Sequence, residues 1–291
     1  MTPRQLAAYV YIALAWGLSF LVLVRAVAAF GEVGTTVLRC LVAAATLYVY
    51  ARASGRRLVF GWSVRPYLVI GATTVAGQLL GLNYAAPRIG TAMSAIIVTT
   101  IPLFSILLAR AVGLEKLTLT RLTGLTLGVA GVAMLVGFPD QPPTRDFLVG
   151  CAVCGAACLF AALGNVYAGA RMRDAGPVET TIGGFFVGAL LCAPFLLLQP
   201  VPALPGLLDV LWVVILGAAM SAATYALYFR LVAEIGPTRA VTVEFVVTAV
   251  AVVVGALWLG ERLTIFQIGG AAAITLGCAL VLGLAPRRSK T

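Results

Sequence analysis

Histidine occurs nowhere in this chain of 291 residues, and only 10% of its residues are charged. Soluble domains carry about 25% charged residues, so the scarcity of charge excludes an ordinary water-facing surface. The lack of histidine removes the Ser/His pairs and His-bearing metal sites on which many hydrolases depend. Acidic residues number 10 against 20 basic ones. No basic run with interleaved aromatics accompanies that excess, so no nucleic-acid partner is implied. A phosphate-cradling glycine loop is missing as well. The chain has 6 cysteines, and Cys151, Cys154 and Cys158 stand three and four apart in an apolar segment, which makes one helical stripe. Without a second ligand pair they read as small packing residues and not as a metal site. No cofactor, no metal and no enzymatic activity is expected.

Apolar residues make up 62% of the chain, and its mean hydropathy is +1.06. This is the composition of a polytopic membrane protein with the lipid bilayer as its surroundings. A span takes about 17 to 25 mainly apolar residues. Gly, Pro and charge clusters delimit ten such segments, near 6–27, 33–51, 66–86, 91–112, 119–138, 147–170, 178–199, 208–233, 238–259 and 264–285. They lack the alternation of a transmembrane barrel, so the predicted fold is all-α. The first segment, with Arg4 ahead of it, has the outline of a signal peptide. The charge pattern requires it as a span.

With the N-terminus in the cytoplasm, only Arg25, Arg39, Arg88, Arg145 and Arg262 of the 20 basic residues fall on the far side. Both termini are therefore expected inside. Trp62, Trp212 and Trp258 fall at segment ends, where indole favours the interface, whereas Trp16 falls in mid-span.

An offset of 146 residues pairs Arg25 with Arg171, Ile89-Gly90 with Ile235-Gly236, Glu115 with Glu261, Leu117-Thr118 with Leu263-Thr264, Gly124 with Gly270, and Gly131 with Gly277. The chain thus reads as two copies, 1–138 and 147–285. Five spans per copy is an odd number, so the copies have opposite topology. Inverted repeats of this kind are a transporter architecture, with a substrate site near the midplane between the copies and rocking for alternating access.

Ten spans in five plus five carry further marks. Gly260-Glu261-Arg262-Leu263-Thr264 follows the ninth span, and Leu114-Glu115-Lys116-Leu117-Thr118 follows the fourth. Trp16-Gly17-Leu18-Ser19-Phe20 lies in the first, and the fifth and tenth are rich in glycine. In these features the whole chain resembles the drug/metabolite transporter superfamily, EamA type, and within it is most similar to the YddG-type aromatic amino acid exporters. The first copy departs in reading Leu114 where the second has Gly260. The resemblance implies a bacterial inner-membrane exporter whose central cavity is bounded by the third, fourth, eighth and ninth helices, with contributions from the first and sixth.

Glu244 is the one acid in the apolar run 240–259, and such a group must face protein or a water-filled cavity. It binds a substrate amino group, titrates in a proton-coupled cycle, or pairs with Arg230 or Arg239. Repeat mates near mid-span mark further candidates: Ser19 with Asn165, Gln78 with Thr224, and Pro102 with Thr248. Plain interhelical hydrogen bonding is the competing reading for each. Only Pro102 and Pro194 of the 14 prolines interrupt apolar segments. Pro102 withdraws a backbone donor from the carbonyl of Val98, and Val98 is the repeat mate of Glu244. Trp16, Phe20, Tyr84, Tyr225 and Tyr228 are the aromatic candidates for stacking on a ring-bearing ligand or attracting a cation, against a role as ordinary core. The glycines of the fifth and tenth spans read as packing.

Together these residues predict a secondary transporter that exports aromatic and other neutral amino acids, driven by a gradient or by downhill flow. An exporter of another metabolite and a proton-coupled antiporter of cationic drugs are the rivals within transport. A membrane enzyme or assembly partner without transport is the rival outside it.

Overall fold

The structure, a computed structural model, describes residues 2–60, 63–113, 118–137, 144–171, 176–202, 205–235, 240–260 and 262–281. Helices are its only regular elements among these residues: α1 (Pro3–Ala53), α2 (Arg65–Ile89), α3 (Thr91–Ala111), α4 (Leu119–Gly137), α5 (Arg145–Arg171), α6 (Pro177–Leu197), α7 (Leu207–Ile235), α8 (Val243–Trp258) and α9 (Ile265–Val281). Six of them are long and apolar enough to cross a membrane, and three shorter apolar helices accompany them. Large apolar side chains such as Leu197, Leu207 and Leu257 stand on the outside, as lipid contact requires. Glu115, Lys116, Arg239, Glu261, Trp62 and Gly236, which carried parts of the sequence reading, lie outside the described residues, as do positions 282–285 of the last expected span.

The first two expected spans emerge as one helix, α1, of 51 residues. At about 1.5 Å per residue it is more than twice the depth of a bilayer core, about 30 Å. It turns back at Gly31, whose φ of 71° and ψ of 172° are not helical. Glycine adopts that conformation without a Cβ clash. A polar cluster braces the corner. Arg88 pairs with Glu32 at 2.8 Å, and Asn83 donates to Thr36 Oγ1 at 2.7 Å and to the Glu32 carbonyl at 3.3 Å. At the start of the helix, Thr2 and Gln5 cap each other reciprocally, and Pro3 occupies the first turn.

Two helices each contain a π-helical stretch, Gly71–Gly77 in α2 and Ala218–Ala223 in α7. The 146-residue offset carries the first onto 217–223, so the two stretches occupy equivalent positions. Both begin where a glycine admits a neighbouring helix: a Cβ on Gly71 would lie 2.7 Å from Val187, and one on Gly217 would lie 2.7 Å from Val42. An extra residue in the turn rotates the side chains beyond it. Gln78 and Thr224, themselves repeat mates, come directly after.

Proline has a larger part in helix shape than the sequence suggested. Pro102 sits in the first turn of the second half of α3, after a break at Thr99-Thr100. Pro194 opens the 3₁₀ turn that ends α6. Pro87 also lies inside a helix, near the end of α2. It was expected at a span boundary, and the helix continues two residues past it.

The α4 and α9 helices pack as a pair through glycine. A Cβ on Gly124 would lie 2.6 Å from the Gly277 carbonyl oxygen, and one on Gly131 would lie 2.7 Å from that of Gly270. Both are backbone contacts that cannot yield by side-chain rotation. Gly124→Val is therefore expected to destabilise the protein by about 1–3 kcal/mol, as overpacking does. Gly155→Ala, where nothing lies within 4 Å of the added Cβ, is expected to change stability by no more than about 0.5 kcal/mol. Thermal unfolding of the purified variants in detergent measures both.

Candidate functional site

The most deeply buried of the long helices is α3, in which 78% of the apolar window is covered. Its break at Thr99-Thr100 leaves carbonyls without their usual helical donors. The Thr99 and Thr100 amides turn back to Ile96 and Ile97. Side chains of other helices supply donors along this stretch. Cys154 and Cys158 of α5 approach the Ser94 and Ile97 carbonyls, Thr248 of α8 donates to that of Ala95 at 2.9 Å, and Cys278 of α9 approaches that of Thr99 at 2.9 Å. The cysteine stripe thus works in packing. Pro102, which has no N–H, gives the Val98 carbonyl no backbone bond.

Beside this stretch lies a cavity of about 40 Å³, walled by α1, α2, α3, α7 and α8. Trp16, Ser19, Phe20, Gln78, Tyr225, Val98 and Glu244 all line it. At about 10–15 Å³ per water it holds a few waters. Drug-sized ligands occupy pockets of about 300–1,000 Å³, so the cavity as it stands is smaller than a ring-bearing ligand requires. Glu244 is 6% exposed, and its carboxylate makes no hydrogen bond or ion pair with another described residue. Arg230, one of its expected partners, pairs instead with Glu234 at 2.7 Å. Four residues separate the two on one helix face, whereas Glu244 belongs to α8.

An aromatic wall forms around Trp16. Its ring centroid lies 5.3 Å from that of Tyr225 and 5.4 Å from that of Tyr228, and Tyr225 meets Phe185 edge-on at 5.2 Å. The indole N–H donates to Thr224 Oγ1 at 2.8 Å, which gives the mid-span tryptophan its partner. Ser19 donates back to the Trp16 carbonyl at 2.7 Å. Tyr228 and Thr224 therefore stand behind the wall and fix its orientation.

Other candidates lie apart. Tyr84 carries the Arg88 guanidinium over its ring at 3.6 Å, in the cluster that braces the Gly31 corner. Pro102 is buried in α3 and acts through the helix break. Asn165 is half-buried on α5, away from the cavity lining. Thr248 bonds the Ala95 and Glu244 carbonyls and ties α8 to α3.

One charged lining residue was absent from the sequence candidates. Arg39, placed by position among the far-side charges, is 3% exposed and faces the cavity. Its Nε donates to Ser221 Oγ at 2.6 Å, and Ser221, inside the second π-helical stretch, donates to the Leu216 carbonyl. The turn at Gly31 brings Arg39 beside the same cavity as Trp16. A sequence signal existed, in that Arg39 falls within the expected span 33–51 and not between spans.

The EamA-like transporter family is matched twice, over residues 6–137 and 148–283. The chain is 21% identical to an uncharacterized transporter of Archaeoglobus fulgidus over 269 residues, 92% of this chain and 94% of that one. It is 26% identical to protein PecM of Dickeya dadantii over 235 residues, 79% and 78% of the two chains. It is also 21% identical to the uncharacterized transporter YoaV of Bacillus subtilis over 216 residues, 74% of each. A solved crystal structure matches its fold with a TM-score of 0.66 at 21% identity, covering 98% of this chain and 99% of that one.

The Trp16–Thr224 bond is open to a direct test. Thr224→Val strands a part-buried indole N–H and is expected to cost about 1–3 kcal/mol. Adding Trp16→Phe is expected to recover part of that loss, since both polar partners are then gone. Unfolding midpoints of the two single variants and the double variant measure the coupling.

Proposed function

The chain belongs to the EamA-like transporter family and is a multi-pass membrane transporter, not an enzyme; from that premise we propose that it exports aromatic and other neutral amino acids across the bacterial inner membrane. It does so by alternating access, with ten spans arranged as two inverted five-helix repeats and both termini in the cytoplasm. Three features favour that arrangement. The family match falls separately on each half. The π-helical stretches stand one repeat apart. The pairing of α4 with α9 also has the form that a twofold axis demands: Gly124 meets Gly277 and Gly131 meets Gly270, and exchanging repeat mates turns one contact into the other. The two arms of α1, divided at Gly31, supply the first two spans.

The observation that carries the substrate reading is the cavity itself. Trp16, Phe20 and Tyr225 line it together with Glu244, a carboxylate with no partner among the described residues. An aromatic face contributes about 0.5–1.5 kcal/mol in stacking, and the carboxylate suits an ammonium group. Gln78 adds a neutral hydrogen-bonding group to the lining, and Thr248 holds α8 in register. Tyr84 braces the Gly31 corner and Pro102 the break in α3, whereas Asn165 lies outside the lining. The same unpaired Glu244 favours a second reading, a proton-coupled antiporter of cationic drugs with a shared proton and cation site.

Counterflow in liposomes with the purified protein separates these. Phenylalanine, tyrosine or tryptophan is expected to exchange, and no movement of any of them under any pH gradient sinks the amino acid reading. Under that reading Glu244→Gln weakens affinity with little change in pH dependence. An antiporter instead shows flux that depends steeply on pH and is lost in Glu244→Gln.

A further inference from the structure

The cavity lining holds one basic and one acidic side chain, Arg39 and Glu244, and each breaks the internal repeat in the same way. The mate of Arg39 is Phe185, a fully buried ring against Tyr225. The mate of Glu244 is Val98, also buried. The equivalent places in the other half of the chain thus carry apolar residues. Burying a charge is costly unless it is paired, and arginine cannot escape that cost by losing its proton.

The environment of Arg39 shows how its charge is left available. Only its Nε is engaged, by Ser221 Oγ, and no carboxylate among the described residues forms an ion pair with it. The bond through Nε orients the guanidinium plane and leaves the two terminal nitrogens, the pair that grips a carboxylate in bidentate fashion. Arg39 comes from the first half of the chain and Glu244 from the second, and both line the one cavity together with Trp16 and Tyr225.

We propose that Arg39 is the carboxylate receptor of this cavity and Glu244 its ammonium receptor, so that the site selects zwitterions carrying an apolar or aromatic body. This deepens the exporter reading and rests on it. A cationic amine without a carboxylate leaves Arg39 unmatched, and an organic acid without an amine leaves Glu244 unmatched. A site that hydrogen-bonds a substrate group rejects analogues lacking it, because the receptor is then stranded.

Competition in the counterflow assay tests the assignment. Radiolabelled phenylalanine is challenged with unlabelled L-phenylalanine, with L-phenylalaninamide, which lacks the carboxylate, and with 3-phenylpropionate, which lacks the ammonium. Wild type is expected to prefer phenylalanine over either analogue by about tenfold or more. Arg39→Gln is expected to weaken phenylalanine and 3-phenylpropionate by a similar factor and to leave phenylalaninamide unchanged. Arg39→Lys, which keeps the charge but not the fork, is expected to fall between, and it serves if the glutamine variant does not fold. Glu244→Gln gives the mirror pattern. If an Arg39 variant weakens all three competitors equally, or none, the assignment is overturned. If wild type moves none of phenylalanine, tyrosine and tryptophan, the exporter reading fails by itself, and thermal stabilisation by 3-phenylpropionate then decides on Arg39. Stabilisation that Arg39→Lys reduces keeps the carboxylate site, and its absence in wild type removes it.

Discussion

The interrupted backbone of α3 is the constraint on which the rest of the structure depends. A helix broken within a membrane must find donors for its carbonyls, because lipid supplies none. Here α8 and α9 supply them through Thr248 at Ala95 and Cys278 at Thr99, and Cys154 and Cys158 of α5 pack against the neighbouring carbonyls of Ser94 and Ile97. One irregularity therefore fixes three other helices around it. The cavity sits where this stretch faces α1, α2 and α7, and it forms because the helices around the break cannot close on each other as regular cylinders would. Thr248 makes the link direct: its hydroxyl joins the Ala95 carbonyl to that of Glu244, so the break in α3 and the acid on α8 move together.

Around that hub the two halves of the chain use the same devices. Each carries a π-helical stretch entered by a glycine against a neighbouring helix, and each contributes glycines to the close contact of α4 and α9. The π-helical turns rotate the residues just beyond them, which brings Gln78 to the cavity and Thr224 to the indole of Trp16. The differences between the halves gather at the cavity. Glu244 answers Val98, and Arg39 answers Phe185.

The aromatic wall and the charges place different demands on the fold. Trp16, Tyr225, Tyr228 and Phe185 pack edge to face, and the indole N–H of Trp16 has its acceptor, so they contribute to stability whether or not a ligand is present. Arg39 and Glu244 are buried where their repeat mates, Phe185 and Val98, are apolar.

Much of this architecture was legible in the residues alone. Apolar segment length marked the helices to within a few residues. The 146-residue offset marked Gly124, Gly131, Gly270 and Gly277, and Glu244 stood out as the one acid in its run. These features are local or periodic, and composition and spacing record them directly. What only the tertiary structure decided is where side chains meet. Pairing Arg230 with Glu234 left Glu244 to the cavity, Tyr84 went to the Gly31 corner with Arg88, and Asn165 stayed outside the lining. Arg39 became a cavity residue because Gly31 folds α1 back on itself and a π-helical turn presents Ser221 to hold the guanidinium. The physical reason is that a charge's role depends on which helices surround it, and in a bundle that is set by backbone bends and close approaches between residues far apart in the chain.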